Sequence, residues 1–489
     1  MKYSIIQKQT EIEKQYMRLD PEFYHPSHLH LEKLLTKREY SLLGDLCNLF
    51  DGPFGSTLLA DSYSSYGVPA LRMQNITYRG LLNISNVEYI SDDDADNLKK
   101  HIAYPGEVVV TKIGFLGYST VLPKDFERYF FRREITRIKI KNKKALNPYY
   151  LATFFNTKYG RQQALRFSSG TTRDRILLIN QRQMIIPLFS SEFQTQIQDI
   201  CKSAYSKIGS SKQKYIDAQN LLLEELNLSD WKPEHRLSFV KNYSDIQQTD
   251  RLDAEYFQPK YDEIVTAIKN YSSGWDTLGN LVFVKKCIEV GSDEYSNEGI
   301  PFIRVSNLSP FEITEEKYIS EKLYSELAPD EQTGISFIKS KCNQPKKGEI
   351  LFSKDATPGL AYFLSEEPQR MIPSSGILRL KQKNRRVNPD YLALVLNSII
   401  VKEQINRDVG GSVIIHWRPD QVKEALIPIL DDGKQNIIQK EVAESFNLRK
   451  ESIYLLECAK KAVELAIKED ENSATIWLKN ERSATEVRH

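Results

Sequence analysis

The sequence has few features of membrane-bound, secreted or disulfide-bonded proteins. In its 489 residues no run of about 18 apolar residues occurs, so we expect no transmembrane helix. Residues 1–16 carry charges throughout and include no apolar segment, and we therefore expect no signal peptide. The five cysteines are scattered, and no two form a Cys-x-x-Cys pair. This spacing excludes a disulfide scaffold and a zinc-ribbon or iron–sulfur site, and it favours a reduced, cytoplasmic compartment.

The sequence also lacks a strong excess of either charge. Its 67 basic and 65 acidic residues give a formal net charge of +2. A protein that binds phosphates over its whole surface is usually more basic, so any nucleic-acid surface must be local. The chain is 40% hydrophobic and 27% charged, which is enough apolar sequence for real cores. Its length allows roughly two to four domains.

Motifs of common nucleotide-binding and hydrolytic enzymes are absent: the P-loop, Gly-x-Ser-x-Gly and His-Glu-x-x-His do not occur. Asn147–Tyr150 has some likeness to the Asn-Pro-Pro-Tyr loop of adenine methyltransferases, but its second proline is missing, and Asn388–Tyr391 lacks the third-position aromatic residue. An asparagine N-cap followed by proline at the first helical position explains both segments. The acidic run Asp92–Asp94 predicts a solvated turn rather than a metal site. We therefore predict no catalytic and no metal-binding residues.

What the sequence does contain is an internal duplication. Five sets of residues in the first half recur in the same order in the second half, at separations of 232 to 242 residues. The matches are Arg18–Tyr24 with Arg251–Phe257, Gly67–Ile76 with Gly299–Leu308, Gly106–Lys112 with Gly348–Lys354, Asn147–Ala152 with Asn388–Ala393, and Gly170, Pro187 and Ile197 with Gly411, Pro428 and Ile438. This collinearity predicts two copies, roughly 17–228 and 250–468, joined by a short polar connector. Two like halves suit a target or partner with approximate two-fold symmetry.

Each copy begins with strand-like, turn-rich sequence and ends with a helical pattern. Strands are predicted at Val108–Thr111, Ile135–Ile140, Ile350–Phe352 and Ile377–Leu380. Residues 192–228 and 434–468 contain no proline and carry apolar residues at helical spacing, which predicts two helices of about 35 residues. One apolar stripe on so long a helix favours an antiparallel coiled-coil pair. The alternative is that each helix packs on its own globular head.

Basic and amide side chains in the heads are candidates for DNA contacts. Residues 121–150 hold nine basic residues against three acidic ones, and Arg132 and Arg133 are our candidates from this segment. The alternative for the segment is a solvated strand edge protected by lysines. Arginine pairs bidentately with guanine, and glutamine or asparagine with adenine. Candidates of this kind are Arg72, Gln74 and Asn75, with the counterparts Arg304, Ser306 and Asn307. Alternatively, the shared arginine and asparagine fix a turn of the fold.

Small polar residues form a second group of candidates. Gly55, Ser56 and Thr57 lie in a loop whose backbone N–H groups can approach a phosphate closely. Ser169, Thr171, Thr172, Arg173 and Ser412 follow the last head helix of each copy, where hydroxyl groups suit sugar–phosphate contacts and a flexible hinge is the alternative. Lys112 and Lys354 stand at matched strand ends and either contact phosphate or face water. The remaining candidates are Ser374, Ser375 and His416.

Taken in order, these motifs resemble the specificity (S) subunit of type I restriction–modification systems over about residues 15–468. The resemblance rests on the paired Arg-Leu-Asp-x-Glu segments, Gly-Pro-Phe-Gly-Ser, Gly-x-Pro-x-x-Arg-x-x-Asn, Pro-Gly-Glu-Val-Val-Val, Asn-Pro-x-Tyr-Leu, and Phe193-Gln194 with Ile197 before a long helix. It implies two target-recognition domains that each read one half of a split double-stranded DNA sequence, with a helix pair as the ruler between them.

The resemblance also implies partners and a domain plan. Two methyltransferase (M) subunits would use S-adenosylmethionine, restriction (R) subunits would use ATP and Mg²⁺, and this chain would hold no cofactor. We expect an α+β fold with two pseudo-repeated α/β target-recognition domains separated by a pair of long antiparallel coiled-coil-like helices. The predicted boundaries are 1–190 and 251–430 for the two domains, 191–230 and 431–470 for the helices, 231–250 for the connector and 471–489 for an unassigned tail.

Two other functions remain open at this point. The first is an S-like chain with its own DNA methyltransferase activity, which rests only on Asn147–Tyr150. The second is a protein scaffold that binds no DNA. The duplicated order of motifs favours a non-catalytic, sequence-specific DNA-binding subunit over both.

Overall fold

The computed structural model describes residues 20–53, 62–84, 87–169, 174–249, 251–329, 336–409 and 415–486. These residues form a mixed helix-and-strand architecture, as predicted, and the chain divides into two compact units. The first unit comprises Met1–Gly209 and Arg449–His489, and the second comprises Ser210–Leu448. Each unit has hydrophobic cores of its own.

The helices have the following bounds, with short 3-10 turns between some of them. In chain order they are Pro26–Leu35, Leu43–Leu46, Asp92–Asn97, Pro148–Asn156, Lys158–Arg166, Leu178–Gln181, Ser191–Glu225 (the first long helix), Tyr243–Thr249, Pro259–Lys269, Leu278–Leu281, Glu321–Leu327, Pro389–Asn397, Ile399–Val409, Pro419–Glu424, Asp432–Lys468 (the second long helix) and Glu471–Glu486 (the C-terminal helix). The 3-10 turns are Pro21–Tyr24, Met73–Asn75, Lys99–His101, Ser292–Glu294 and Val305–Asn307. Of the helices described, none combines the length and the apolar character needed to cross a membrane.

The strands of the first unit form two four-stranded sheets and one separate pair. They are β1 (Tyr40–Leu42), β2 (Cys47–Asp51), β3 (Val68–Leu71), β4 (Glu88–Ile90), β5 (Ile102–Ala103), β6 (Val108–Thr111), β7 (Ser119–Val121), β8 (Tyr129–Phe131), β9 (Ile135–Ile140) and β10 (Ile185–Pro187). One sheet has the order β2-β9-β6-β7, the other has the order β4-β3-β8-β5, and β1 pairs with β10. Neighbouring strands are antiparallel except β3 and β8, which are parallel.

The second unit contains two sheets and a pair of the same general kind. Its strands are β11 (Trp275–Thr277), β12 (Val282–Lys286), β13 (Ile300–Ile303), β14 (Tyr318–Ile319), β15 (Glu349–Ser353), β16 (Ala361–Phe363), β17 (Ile372–Pro373), β18 (Ile377–Gln382) and β19 (Leu426–Pro428). The sheets have the orders β12-β18-β15-β16 and β14-β13-β17, and β11 pairs with β19. Here β13 and β17 are the parallel neighbours. All four strands predicted from the sequence are present.

Central strands are apolar at successive positions because both of their faces are covered. In β6, Val108 and Val110 pack in the large core beneath the helices, whereas Val109 packs in a second core on the opposite face. In β15, Ile350 and Leu351 divide between two cores in the same way. Burying a valine, leucine or isoleucine side chain contributes about 1.5–3 kcal/mol each, which stabilises a strand with no solvated face.

The two long helices, 35 and 37 residues in length, lie close to their predicted positions. In the first unit, Ile197 of the first long helix and Val463 of the second belong to one core. In the second unit, Leu222 and Ile438 share a core in the same way. Both cores also contain residues of the head, so each unit joins its head and its portions of the two helices in one hydrophobic cluster.

Residues 471–486 of the tail that the sequence left unassigned form the C-terminal helix of the first unit. Ala474 and Leu478 of this helix are buried in the large core. At its beginning, the backbone N–H of Ser190 donates a hydrogen bond to Glu471 over 3.0 Å. Residues 471–486 are therefore a structural part of the first unit.

Candidate nucleic-acid interface

A capped 3-10 turn after β3 carries three of the predicted residues. The backbone N–H of Arg72 donates to Asn75 Oδ1 over 2.8 Å, and Asn75 Nδ2 donates to the carbonyl oxygen of Asn83 over 2.9 Å. Asn75 is only 4% exposed, while the Arg72 guanidinium forms an ion pair with Glu88. Gln74, between them, is exposed. The amide of Asn75 therefore fixes the turn, which is the alternative stated for it above, and the turn presents Gln74 to solvent.

The turn after β13 in the second unit has the same construction. The backbone N–H of Arg304 donates to Asn307 Oδ1 over 3.1 Å, and Asn307 is 2% exposed. The Arg304 guanidinium pairs with Glu316 at 2.6 Å. Ser306 is exposed in the position that Gln74 holds in the first unit. In both turns the shared asparagine is internal, and the exposed side chain, Gln74 or Ser306, differs between the units.

The two matched lysines are held by carboxylates next to them. Lys112 follows β6, its side chain is 8% exposed, and its ammonium group pairs with Asp51 at the end of β2. Lys354 follows β15 and pairs with its neighbour Asp355. A phosphate would reach either ammonium group only in competition with these carboxylates. Lys112 is thus buried and does not simply face water.

Two arginines of the first unit flank one tyrosine that the sequence analysis did not select. The guanidinium carbons of Arg72 and Arg132 lie 5.5 and 5.6 Å from the ring centroid of Tyr63, within cation–π range. Arg132 is also fixed by its backbone N–H, which donates to the carbonyl oxygen of Leu71 over 3.1 Å. Arg133, the next residue, is exposed. The turn after β3 and the end of β8 therefore bring Arg72 and Arg132 together around Tyr63, with Arg133 next in the chain, and we call this surface the first rim.

Ser169 reaches the same part of the first unit through backbone pairing. Its N–H donates to the carbonyl oxygen of Arg175 over 2.9 Å, and the N–H of Ile176 donates to the carbonyl oxygen of Lys112 over 2.9 Å. Arg175 is exposed beside Ser169 but was not predicted. The duplication could have identified Arg175, because Arg175 stands 241 residues before His416, which was predicted as a site residue.

His416 occupies the corresponding place in the second unit. Its Nδ1 lies 2.8 Å from Asp355 Oδ1, and the ring is exposed. The N–H of Ala356 donates to the carbonyl oxygen of Ile415 over 3.0 Å, so the strand end and the His416 segment are joined through their backbones. The structure therefore brings His416 and Lys354 together, because Asp355 contacts both side chains.

Ser374 and Ser375 belong to the matching surface of the second unit, which also holds Arg304, Lys354 and His416 and which we call the second rim. Only one of the two serines is accessible. Ser374 is 5% exposed, and its backbone N–H donates to the carbonyl oxygen of Ile303 over 2.8 Å. Ser375 is half-buried, and its hydroxyl donates to Glu289 Oε2 over 2.5 Å. Glu289 was not predicted and adds a carboxylate to this rim. The predicted residues Gly55, Ser56, Thr57, Thr171, Thr172, Arg173 and Ser412 lie outside the described residues.

Two of the nine basic residues in the segment 121–150, Arg128 and Arg137, pair with carboxylates inside the first unit. Arg128 pairs with Asp92 at 2.5 Å and with Asp96 at 2.7 Å, and this guanidinium lowers the pKa of the Asp96 carboxyl. Arg137 forms a nearly buried bidentate ion pair with Glu107, with both N–O distances 2.8 Å.

In the described part of the chain, no group of three His, Cys, Asp or Glu residues could hold a metal ion.

Comparisons with known proteins relate this chain to one domain family and to several solved structures. Residues 37–219 match the family model described as the type I restriction modification DNA specificity domain. Among solved structures, the S subunit of a type I restriction–modification system from M. genitalium shares 12% identity and a TM-score of 0.35, over 90% of this chain and 94% of that one. The HsdS subunit from Thermoanaerobacter tengcongensis shares 13% identity and a TM-score of 0.28, over 88% and 97%. No curated protein matches the sequence significantly.

Proposed function

We propose that this chain is the DNA-reading specificity subunit of a type I restriction–modification complex, because residues 37–219 match the model of the type I restriction modification DNA specificity domain. The family match is the observation that carries this proposal. It covers the first unit's sheets and the first rim with Arg72, Arg132 and Arg133. The exposed Gln74 is the residue on this rim best suited to read a base edge, since its amide both donates and accepts hydrogen bonds.

We propose that the second unit is a second reader that arose by duplication. Several contacts of the second unit match contacts of the first unit at corresponding positions, and these support the proposal. The matched contacts are the ion pairs Arg137–Glu107 and Arg379–Glu349, the hydroxyl-to-carbonyl bonds Tyr150–Pro187 and Tyr391–Pro428, and the backbone-to-amide bonds Asn147–Gln194 and Asn388–Gln435. The sheet orders β2-β9-β6-β7 and β12-β18-β15-β16 correspond as well. Two readers with different exposed residues would recognise two different half-sites of one DNA target.

The two long helices are proposed to be an antiparallel, coiled-coil-like spacer that sets the gap between the half-sites. In the second unit, Ser445 Oγ donates to the carbonyl oxygen of Ser211 over 2.7 Å, and Lys434 pairs with Glu225 at 2.6 Å. The first long helix contributes Ser211 and then Glu225 in chain order, whereas their partners on the second long helix, Ser445 and Lys434, follow in the reverse order. This reversal supports an antiparallel pair. In the first unit, Ser452 Oγ likewise donates to the carbonyl oxygen of Ala204 over 2.7 Å.

The chemistry is proposed to reside on partner subunits: two M subunits with S-adenosylmethionine, and R subunits with ATP and Mg²⁺. The chain itself is then not an enzyme and works with its partners in the cytoplasm. The absence of nucleotide-binding motifs from the sequence supports this assignment. Asn147 caps the helix Pro148–Asn156 by accepting from the N–H of Tyr149 over 2.9 Å, so Asn147–Tyr150 has a structural role that requires no methyl transfer.

Selection from random duplex DNA by the purified complex, with whichever subunits co-purify, tests the proposal. We expect a split sequence with a gap of fixed length, and an affinity that falls steeply as salt rises because phosphate contacts release counterions. Gln74→Ala should alter one half-site only, and Ser306→Ala the other. Gln196→Ala, on the first long helix, is the control and should leave both half-sites unchanged. A single uninterrupted sequence, or a Gln74→Ala effect on both half-sites, would contradict two independent readers.

A further inference from the structure

The Arg-Leu-Asp motif of the second unit reaches a distant part of the chain. Arg251 donates two hydrogen bonds to the Asp253 carboxylate, from Nε at 2.6 Å and from Nη2 at 2.7 Å. This bidentate geometry fixes the orientation of the guanidinium. Its remaining terminal nitrogen, Nη1, donates to the carbonyl oxygen of Asp408 over 3.0 Å. Asp408 lies in the last turn of the helix Ile399–Val409. One side chain therefore ties the start of the second copy to the end of this helix.

Asp408 in turn holds a buried tryptophan. Trp417 is fully buried, and its Nε1–H donates to Asp408 Oδ2 over 2.8 Å. Its backbone N–H donates to the carbonyl oxygen of Lys354 over 2.8 Å, and its ring packs against Phe352 with centroids 6.0 Å apart. An indole N–H buried without an acceptor would be costly, so Asp408 determines whether Trp417 can occupy this place.

His416 immediately precedes Trp417, so its backbone is fixed between two anchors. On one side Trp417 is bonded to Lys354, and on the other the carbonyl oxygen of Ile415 accepts from Ala356. The exposed imidazole then meets Asp355 on the rim, as described above. The place of His416 is thus determined by the backbone hydrogen bonds on either side of it and by the buried Trp417 next to it.

The first unit achieves the equivalent placement with apolar residues. Phe167 and Ile176 stand 241 residues before Asp408 and Trp417, and both are buried in the large core. The residue next to Ile176 is the exposed Arg175, in the place of His416. The hydrogen-bonded pair of Asp408 and Trp417 is therefore replaced by two apolar side chains at the matched positions of the first unit.

We propose that Arg251, Asp253, Asp408 and Trp417 form a clamp that positions His416 and Asp355 for reading the second half-site. The proposal rests on the proposed function. The four clamp residues are positioning residues, since they act through His416 and touch no DNA themselves. Loss of the clamp should impair discrimination at the second half-site while leaving the first half-site unaffected.

The test uses the purified complex and DNA in which one half-site at a time is scrambled. Asp408→Leu removes the acceptor for Trp417, and we expect discrimination at the second half-site to fall about tenfold, as for a lost buried hydrogen bond. Asp408→Asn is the matched control, because its amide oxygen still accepts from the indole, and it should retain discrimination. If Asp408→Leu does not fold, Arg251→Gln takes its place, since it removes the bidentate pair with Asp253 at a partly exposed position.

A double-mutant cycle with His416→Ala separates positioning from general stability. If the clamp acts through His416, Asp408→Leu should add no further loss of second-half-site discrimination in the His416→Ala background. Additive losses, equal losses at both half-sites, or unchanged discrimination in Asp408→Leu would overturn the clamp. If the unsubstituted complex shows no preference at the second half-site at all, the proposed function fails instead, which keeps the two failures distinct.

Discussion

At the scale of single residues, two thiols are held far from their ionisation range. Burial raises the pKa of Cys47 to about 12 and that of Cys201 to about 11. Because the thiolate is the reactive form, iodoacetamide at pH 8 should label both residues slowly in the folded chain and rapidly in urea. Mass spectrometry after a timed labelling pulse measures the two rates. Equal rates with and without urea would contradict the burial of these thiols.

The raised pKa values of these two thiols also determine the direction in which the free energy of unfolding changes with pH. The unfolded thiols lose their protons near pH 9, whereas the folded thiols keep them, so the unfolded state binds fewer protons above that pH. The free energy of unfolding should therefore be unaffected by these groups below pH 8 and should fall as pH rises through 9. In Cys201→Ala the fall between pH 8 and pH 10 should be smaller than in the unsubstituted chain.

The role of a side chain could be predicted from the sequence where its hydrogen-bond partner lies close by in the chain. Asn147 as a helix cap is an example, since its acceptor serves Tyr149 two residues away. Tyr63 was not predictable, because the arginines beside it come from strands whose pairing the sequence does not state. The burial of Asn75 was left open for the same reason: its second partner, Asn83, is reached only after the turn is folded.

At the scale of elements, the helix caps are the features whose contribution is simplest to measure. Asn388 Oδ1 accepts from the N–H of Asp390 over 3.0 Å, at the start of the helix Pro389–Asn397. Asn388→Ala should lower the free energy of unfolding by about 1 kcal/mol, while Asn388→Ser, which retains an acceptor, should cost only a few tenths. Urea unfolding followed by circular dichroism measures both. An alanine variant as stable as the serine variant would show that the side chain does not cap the helix.

The elements that the sequence predicted are those with a strong apolar pattern. Strands β6 and β15 are buried on both faces, and the long helices repeat their apolar residues over many turns, so each leaves a clear periodicity. The C-terminal helix leaves little, because it buries only a few residues such as Ala474 and Leu478 in a core made by other segments. It also has no counterpart in the other copy, so the duplication could not reveal it.

At the scale of the whole molecule, the near-balance of charge has a local explanation. Predicted cations on both rims already have carboxylate partners, as in Arg72 with Glu88 and Arg304 with Glu316. A phosphate that contacts one of these cations must displace a carboxylate, so each such contact contributes less than a contact to an unpaired cation, although the phosphate contacts together still release counterions from the DNA. Such rims would bind DNA weakly outside the target and would depend on base contacts for affinity.

The spacer makes a prediction about distance that involves the whole chain. Seven residues inserted after Gln213, with seven more in the facing part of the second long helix near Glu444, lengthen both helices by about two turns and nearly preserve their facing stripes. At about 1.5 Å per residue and 3.4 Å per base pair, the gap between the half-sites should grow by about three base pairs, with both half-sites unchanged. Repeated site selection measures the gap.

An insertion of the same length near Leu237 is the control for this experiment. Leu237 lies outside the helices and is almost fully exposed, so added residues there lengthen the chain without lengthening either long helix. The gap should then stay constant. If instead the gap is constant in the helix variant, or grows equally in both, the distance between the half-sites is set by something other than the helix pair. Because the half-site sequences are read in the same selection, an unchanged pair of half-sites shows that both readers remain folded, and the gap then reports the helices alone.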